Sequence, residues 1–216
     1  MKNYWNKLLF ILGNVLNIKP PPISRENYDR IYTDDFRDTD RWALTHPAAV
    51  TTSRANGATL SLRQLNNKSF VSPCIISKST IYGGCVVIKA QLSESERVMH
   101  VLVLRHKKDE FGFKIAGGKI YAVAPYHTPS FKLYKPELAH TFEIDVHPEN
   151  DMIYWRVDGR TVYELRYPSH DAKHLMISMP TVRGKINPKE LPIACNIHSV
   201  DFFDNNYQHL TRTNEE

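Results

Sequence analysis

The stretch that decides the fold is residues 140–159, HTFEIDVHPENDMIYWRVDG. Polar and apolar residues alternate through 140–147, which is the period-two pattern of a half-buried β-strand. Residues 152–157 form a second run, rich in the Ile, Tyr, Trp and Val that favour strands. A proline and several polar residues separate the two runs. Asp158-Gly159 follows the second run, and this dipeptide favours a type I′ turn. The segment therefore predicts two consecutive antiparallel strands that end in a tight hairpin.

Similar short runs, rich in Val, Ile, Tyr and Phe, recur on both sides of this segment between turn residues. They cover residues 31–36, 58–63, 70–77, 84–92, 98–105, 111–116, 119–124, 161–166, 174–179 and 197–203. About a dozen strands without intervening helices predict an all-β fold, a two-sheet sandwich or jelly roll. We expect the first and last strands to pair, because such pairing protects the sheet edges.

The composition fits one ordinary globular domain. The chain has 216 residues, of which 42% are hydrophobic and 24% charged, so collagen-like, coiled-coil and wholly disordered classes are excluded. A sandwich over residues 23–216 accounts for this length. The net charge of +5 is a mild basic excess. Because no run of five Lys or Arg residues occurs, no nucleic-acid partner is predicted.

The N-terminal segment has a different pattern. Apolar residues recur at helical spacing over residues 3–17, and three prolines follow at 20–22. We therefore expect residues 1–22 to form an amphipathic docking helix and a proline linker that bind another protein chain in an oligomer or assembly. Its docking residues would be Trp5, Leu8, Leu9, Ile11, Leu12 and Leu16. The apolar run is interrupted and shorter than the roughly 20 residues of a membrane span, and it does not make a convincing signal peptide.

Several segments resemble one family. Residues 140–149 and 153–159 are similar to the strand–turn–strand segment of laminarinase and lichenase type glycoside hydrolases of family sixteen. The resemblance extends in order through residues 34–36, 75–78, 82–90, 174–178 and 200–203. It implies a concanavalin-like sandwich over about residues 31–203.

The resemblance weakens at the catalytic strand, where the family carries E-x-D-x-x-E. Glu110 fits the first position, but Gly112 takes the place of the Asp and Ile115 that of the second Glu. A retaining mechanism needs two carboxyl groups about 5 Å apart. The run Glu143-Ile144-Asp145 looks like the start of the motif, but Pro148 stands where the second Glu would be. No catalytic residue is therefore predicted.

Three functions follow from these patterns. The first is a non-catalytic interaction or assembly protein, built into a larger particle such as a phage virion or tail. The second is a glycan-binding module that uses the former substrate cleft, and the third is an active glycoside hydrolase. For glycan binding, the resemblance implies Arg105, Glu110, His140 and Ser178 as polar contacts. Tyr126, in a Pro-containing loop, is a further candidate because aromatic rings stack on sugars.

Metal and cysteine patterns are weak. The ten His residues show no metal-ligand spacing, so no metal site and no cofactor are predicted. Asp34, Asp35, Asp38 and Asp40 could supply oxygen ligands to a structural calcium ion, although turn capping fits this run better. The three Cys do not read as a disulfide framework. Cys74 and Cys85 could pair across a hairpin, and buried free thiols are the favoured alternative.

Overall fold

The computed structural model describes residues 28–53, 57–66, 69–133, 135, 137–168, 171–182, 186 and 188–204. The predicted docking helix and its proline linker lie outside these residues. Their role therefore stays a prediction.

Within the described ranges the chain forms sixteen β-strands and three short 3-10 helices, which cover Thr39–Arg41, Pro47–Ala49 and Pro188–Glu190. The strands are β1 (Asp29–Asp34), β2 (Trp42–Thr45), β3 (Val50–Ser53), β4 (Gly57–Asn66), β5 (Ser69–Val71), β6 (Cys74–Ile81), β7 (Gly84–Gln91), β8 (His100–His106), β9 (Asp109–Ala116), β10 (Lys119–Val123), β11 (Ser130–Lys132), β12 (Ala139–His147), β13 (Met152–Val157), β14 (Arg160–Arg166), β15 (Lys173–Ser178) and β16 (Ile193–Asp204). None of the described helices is long and apolar enough to cross a membrane.

The strands make two antiparallel sheets, which confirms the predicted all-β, two-sheet architecture. The nine-stranded sheet has the order β14-β13-β12-β7-β16-β4-β3, with β1 paired to β16 and β5 to β4. The seven-stranded sheet has the order β11-β10-β9-β8-β15-β6-β2. The pairing of β1 with β16, from Asp29 opposite Asp204 to Asp34 opposite Val200, is the expected pairing of the first and last strands.

The core lies between the sheets and is built by alternation. On β9, Phe111 and Phe113 are almost fully buried, and the ring of Phe113 lies 5.4 Å from that of Phe142 on β12. Trp155 of β13 has no exposed surface and belongs to the same cluster. Burying each large apolar side chain contributes about 1.5–3 kcal/mol. The opposite face of each strand is left for other contacts.

The segment at residues 140–159 folds as its pattern predicts. Phe142 of β12 pairs with Val157 of β13, and Asp158 (φ 50°) and Gly159 (φ 75°) both adopt positive φ. This is the backbone of the type I′ turn that connects β13 to β14. The Asp158 carboxylate also accepts a hydrogen bond from the backbone N–H of Thr141 at 2.9 Å. The turn is thereby fixed to the neighbouring strand.

The acidic run and the cysteines have structural roles in the described residues. Asp34 accepts hydrogen bonds from the backbone N–H of Phe36 (2.7 Å) and from Trp42 Nε1 (2.9 Å). Asp38 accepts one from the N–H of Asp40 at 2.9 Å. The backbone contacts of Asp34 and Asp38 cap turns, as the sequence predicted for this acidic run. Cys74 and Cys85 lie on β6 and β7, in different sheets, and no disulfide joins them.

Candidate functional site

The outer face of the seven-stranded sheet brings together three of the predicted glycan contacts. On β8 and β9 the residues next to Arg105 and Glu110, namely Leu104 and Phe111, face the core. Alternation therefore turns Arg105 and Glu110 outward, and the two are direct partners in the β8–β9 register. Ser178 lies on the same face of β15, opposite Val101 of β8. Val101 is four residues from Arg105 on β8, so Ser178 lies about 13 Å from Arg105 in the strand direction.

A lysine that the sequence analysis did not single out completes this face. Lys114 is the second outward position after Glu110 on β9, and its Nζ lies 2.7 Å from Glu110 Oε2. Gly112 stands between them. Both side chains are partly exposed, so the ion pair contributes little stability, typically about 0–1 kcal/mol. The ion pair with Glu110 instead fixes the position of the Lys114 ammonium group on the outer face of β9.

Gly112 itself leaves no room for the carboxylate that the family resemblance implies at this position. Its φ is 154°, and a Cβ placed there would lie 2.2 Å from the carbonyl oxygen of Leu102 and 2.7 Å from Cα of Val103. Real Cβ atoms do not approach a backbone so closely. An Asp at this position would therefore require a shift of β8 or β9.

The place of the family's second Glu faces the wrong way for catalysis. Ile115 is 2% exposed and packs in the core. The β8–β9 pairing is regular from His100 opposite Ile115 to His106 opposite Asp109, so no bulge turns the strand. Strict alternation puts Lys114, and not Ile115, on the outer face. The alternation of Phe111, Phe113 and Ile115 was the sequence signal that could have found this lysine.

Arg105 is held in place by its neighbours although its side chain is exposed. Its Nε donates to the carbonyl oxygen of Lys107 at 3.0 Å, and Nη1 lies 3.8 Å from the sulfur of Met176 on β15. The guanidinium group is therefore held between the β8–β9 turn and β15, and it retains donors for a ligand.

Tyr126 stands at the end of the sheet where β9 begins. Its side chain is 89% exposed, the largest exposure among the exposed apolar residues of the described chain. The ring lies 6.4 Å from that of Tyr167, which in turn packs 5.1 Å from Phe111. Phe111 faces the core, so this chain of contacts places Tyr126 at the rim of the sheet and not on the outer face beside Glu110. The exposed ring can present an aromatic face to a sugar at that rim.

His140 does not join this group. It is 8% exposed and lies on the inward side of β12, next to Phe142, whose ring is 6.3 Å away. Its Nδ1 is 2.7 Å from Asp158 Oδ2, and its Nε2 is 2.9 Å from the carbonyl oxygen of Lys135. The expectation that His140 faces the cleft is corrected: the alternation of β12 places it between the sheets. Burial lowers the pKa of His140, but Asp158 and the Lys135 carbonyl outweigh it and raise the pKa above its usual value.

A small cavity lies beside the start of β9. It has a volume of about 40 Å³ and is lined by His106, Asp109, Phe111, Tyr167, Pro168, Asp171 and Lys173. Lys173 is 1% exposed, and its Nζ donates to the carbonyl oxygen of Asp171. Burial lowers the pKa of Lys173 to about 8, although the Asp171 carboxylate opposes the shift. Its Nζ lies 5.9 Å from the centre of the Phe111 ring.

The run Glu143-Ile144-Asp145 lies on the other sheet, where Glu143 and Asp145 are each 3% exposed. Asp145 accepts hydrogen bonds from Arg156 Nη1 at 2.6 Å and from the Tyr28 hydroxyl at 2.7 Å. His147 Nε2 lies 3.1 Å from the same carboxylate. Burial raises the pKa of Asp145, but His147, Arg156 and Tyr28 outweigh it and hold the pKa below its usual value. This buried network has the character of a structural ion cluster.

Comparison with known proteins gives a fold and no closer assignment. No family model matches the sequence, and no curated protein matches it significantly. Among solved structures, an endo-β-1,3(4)-glucanase of family GH16, crystallised with a glucan oligosaccharide, has a TM-score of 0.73 at 12% identity, over 86% of this chain and 98% of that one. The β-glucanase of Bacillus licheniformis has a TM-score of 0.68 at 16% identity, over 79% and 96%. The Crh5 transglycosylase in complex with NAG has a TM-score of 0.68 at 18% identity, over 88% and 90%.

These neighbours correct one expectation from the sequence. The solved structures that the chain is similar to include glucanases, a laminarinase and a transglycosylase. The expectation of an assembly component in a phage virion or tail is therefore wrong. The resemblance to family sixteen is confirmed at the level of the fold: the chain has the concanavalin-like sandwich of the GH16 glucanases.

Proposed function

We propose that the chain binds carbohydrate on the outer face of its seven-stranded sheet. The observation that carries the proposal is the outward cross-strand pair of Arg105 and Glu110. Aromatic contacts can come from the half-buried ring of Tyr121 on β10, on the same face, and from the exposed ring of Tyr126 at the rim of the sheet. Sugar sites combine an aromatic platform with a few fixed polar groups that give orientation. The GH16-like fold supports this face as the place for a glycan.

Hydrolysis is the second candidate, and the observation in its favour is Glu110 on the strand that resembles the catalytic one. Double displacement needs a second carboxyl group about 5–5.5 Å away. The strands of this sheet carry only Asp109 and Glu110 as acidic residues, and Asp109 lines the small cavity instead. We therefore place binding, and not retaining hydrolysis, at this face.

The test is retention on a panel of immobilised polysaccharides. The wild-type chain is expected to bind at least one of them, and the double variant Arg105→Ala/Tyr126→Ala is expected to lose most of that binding. Arg166→Ala, an exposed change on β14 of the other sheet, serves as the matched control. Binding that survives the double variant would place the site elsewhere, and a chain that binds no polysaccharide would refute the proposal.

A further inference from the structure

We propose that this face takes an anionic polysaccharide, whose carboxylate or sulfate groups are recognised by the lysines of β9, β10 and β11. The inference deepens the proposed function and rests on it, because it names the class of glycan for the same face.

Within the described strands, basic residues outnumber acidic ones on one sheet only. The strands of the seven-stranded sheet contain six Lys and Arg residues against two acidic ones: Lys78, Arg105, Lys114, Lys119, Lys132 and Lys173 against Asp109 and Glu110. Lys173 is buried, so the other five cations are those that a ligand can meet. The strands of the nine-stranded sheet contain six Lys and Arg residues and seven acidic ones. A ligand selected by charge would therefore meet the seven-stranded sheet, since only there does one sign dominate.

Two of these lysines face each other directly. Lys119 of β10 and Lys132 of β11 are register partners, and both are exposed. Their neighbours Ile120 and Phe131 are buried in the core, so alternation turns both lysines to the outer face. Like charges directly opposite each other in an antiparallel pair are destabilising. An anionic group bound between the two ammonium groups would relieve that repulsion.

The adjacent strand extends the cationic surface. Lys114 of β9 is the register partner of Tyr121 on β10, and Tyr121 stands two residues from Lys119 on the same face. Glu110 is the acidic residue that alternation turns outward on these strands, and Lys114 pairs with it. A polyanion therefore meets little repulsion here, and the half-buried Tyr121 ring lies among the cations as a contact for a sugar face. From β8 to β11 the cations extend over three strand spacings, about 14 Å.

The experiment measures affinity for four polymers: alginate (carboxylated), κ-carrageenan (sulfated), laminarin (uncharged) and single-stranded poly(dT). Three proteins are compared: the wild-type chain, Lys119→Glu/Lys132→Glu, and the control Lys89→Glu/Arg166→Glu. The control makes the same charge change at exposed residues of the nine-stranded sheet. Circular dichroism melts confirm that all three are folded.

We expect alginate or carrageenan to bind more tightly than laminarin, and the Lys119/Lys132 variant to lose about tenfold in affinity, equivalent to ~1.4 kcal/mol. The control variant should keep its affinity, and added salt should weaken wild-type binding. The comparison of alginate with κ-carrageenan shows whether carboxylate or sulfate groups are preferred.

Laminarin bound as tightly, with no effect of the lysine changes, would overturn the anionic inference and leave the proposed function intact. An equal loss in both variants would overturn it too, because net charge would explain the binding. Poly(dT) bound as tightly through the same lysines would overturn the assignment to a glycan. Failure to bind any polysaccharide would refute the proposed function itself.

Discussion

Lys114 Nζ lies 2.7 Å from Glu110 Oε2, with Gly112 between the two residues on β9. Glycosidases of the retaining type depend on two carboxyl groups that flank the scissile bond. On this strand the second charged group on the outer face is an ammonium. The fold of a glucanase thus carries a face whose electrostatics differ from those of a carboxylate pair.

Replacing Gly112 with Asp is expected to destabilise the protein and to leave it without glucanase activity. The new Cβ would lie 2.2 Å from the carbonyl oxygen of Leu102, and φ at this position is 154°. Overpacking of this kind typically costs about 1–3 kcal/mol, and backbone strain adds to it. Urea denaturation measures the loss. Lys114→Asp, at the next outward position, is the control, and an equal loss there would contradict the steric explanation.

The wild-type chain is expected to release no reducing sugar from β-1,3 or β-1,4 glucans above a boiled control. The physical reason is the missing carboxyl partner for Glu110. Turnover that disappears in Glu110→Gln would show that another group supplies the second role. Turnover that persists in Glu110→Gln would place the chemistry away from β9.

The length of a strand decides whether its sequence reveals it. β12 has nine residues with clear alternation, and β13 is rich in β-forming residues, so both can be recognised and form as expected. The strands that were missed, β2, β3 and β11, have three or four residues and lie at sheet edges. So few residues show no clear period, and their pairing is decided by tertiary contacts.

The site was predictable to a similar extent. Alternation suffices to put Arg105 and Glu110 on one face once the buried neighbours are known. His140 was misplaced because a family resemblance does not state on which side of β12 the ring lies. Lys114 was missed because the motif alignment drew attention to Ile115, although strict alternation pointed to the lysine.

Asp158→Asn is expected to reduce stability more at pH 6 than at pH 9. The pKa of His140 is raised in the folded protein, since Asp158 and the Lys135 carbonyl outweigh the opposing effect of burial. A raised pKa contributes stability that is fully present below the unfolded value of about 6.5 and is lost as pH rises through the folded value. Asn keeps the turn, because it tolerates positive φ.

We expect the free energy of unfolding to fall by about 2 kcal/mol at pH 6, measured by urea denaturation at both pH values. Glu94→Gln on an exposed loop is the control, and an equal loss at both pH values would contradict the linkage.

Arg156→Met is expected to destabilise the chain by about 3 kcal/mol at pH 7. The change removes the 2.6 Å contact to Asp145, whose carboxylate is 3% exposed. The pKa of Asp145 is lowered in the folded protein because His147, Arg156 and Tyr28 outweigh burial. The stability from this group is therefore present above its unfolded value of about 4 and is lost as pH falls through the lower folded value.

A double-mutant cycle tests this account of the Asp145 cluster. Arg156→Met/Asp145→Leu should cost less than the sum of the two single changes, since neither charge is then left unpaired. Tyr28→Phe should cost about 2 kcal/mol, because it removes the hydroxyl's hydrogen bonds to Asp145 Oδ1 at 2.7 Å and to His147 Nε2 at 2.8 Å. Additive costs in the cycle would show that Arg156 and Asp145 do not depend on each other.

The last prediction concerns Lys173, whose ammonium group is enclosed beside Phe111. Burial lowers its pKa to about 8, below the unfolded value of about 10.5. Between these two values the unfolded chain binds more protons than the folded one, so this group makes stability rise with pH from about 8 to 10.5. At pH 7 the lysine is charged in both the folded and the unfolded state, and the full cost of desolvating the charge remains in the folded state.

Lys173→Met fills a similar volume without a charge, and the Asp171 carbonyl belongs to an exposed residue that water can reach. The variant should therefore be at least as stable as the wild-type chain at pH 7, and it should lack the lysine's contribution to the rise between pH 8 and 9.5. Urea midpoints of both proteins at pH 7, 8, 9 and 9.5 measure this, and the difference between them removes the effect of tyrosines and cysteines that titrate in the same range. Parallel pH curves for the two proteins would show that Lys173 is not perturbed, and a large loss at pH 7 would show that its hydrogen bonds outweigh the cost of burying the charge.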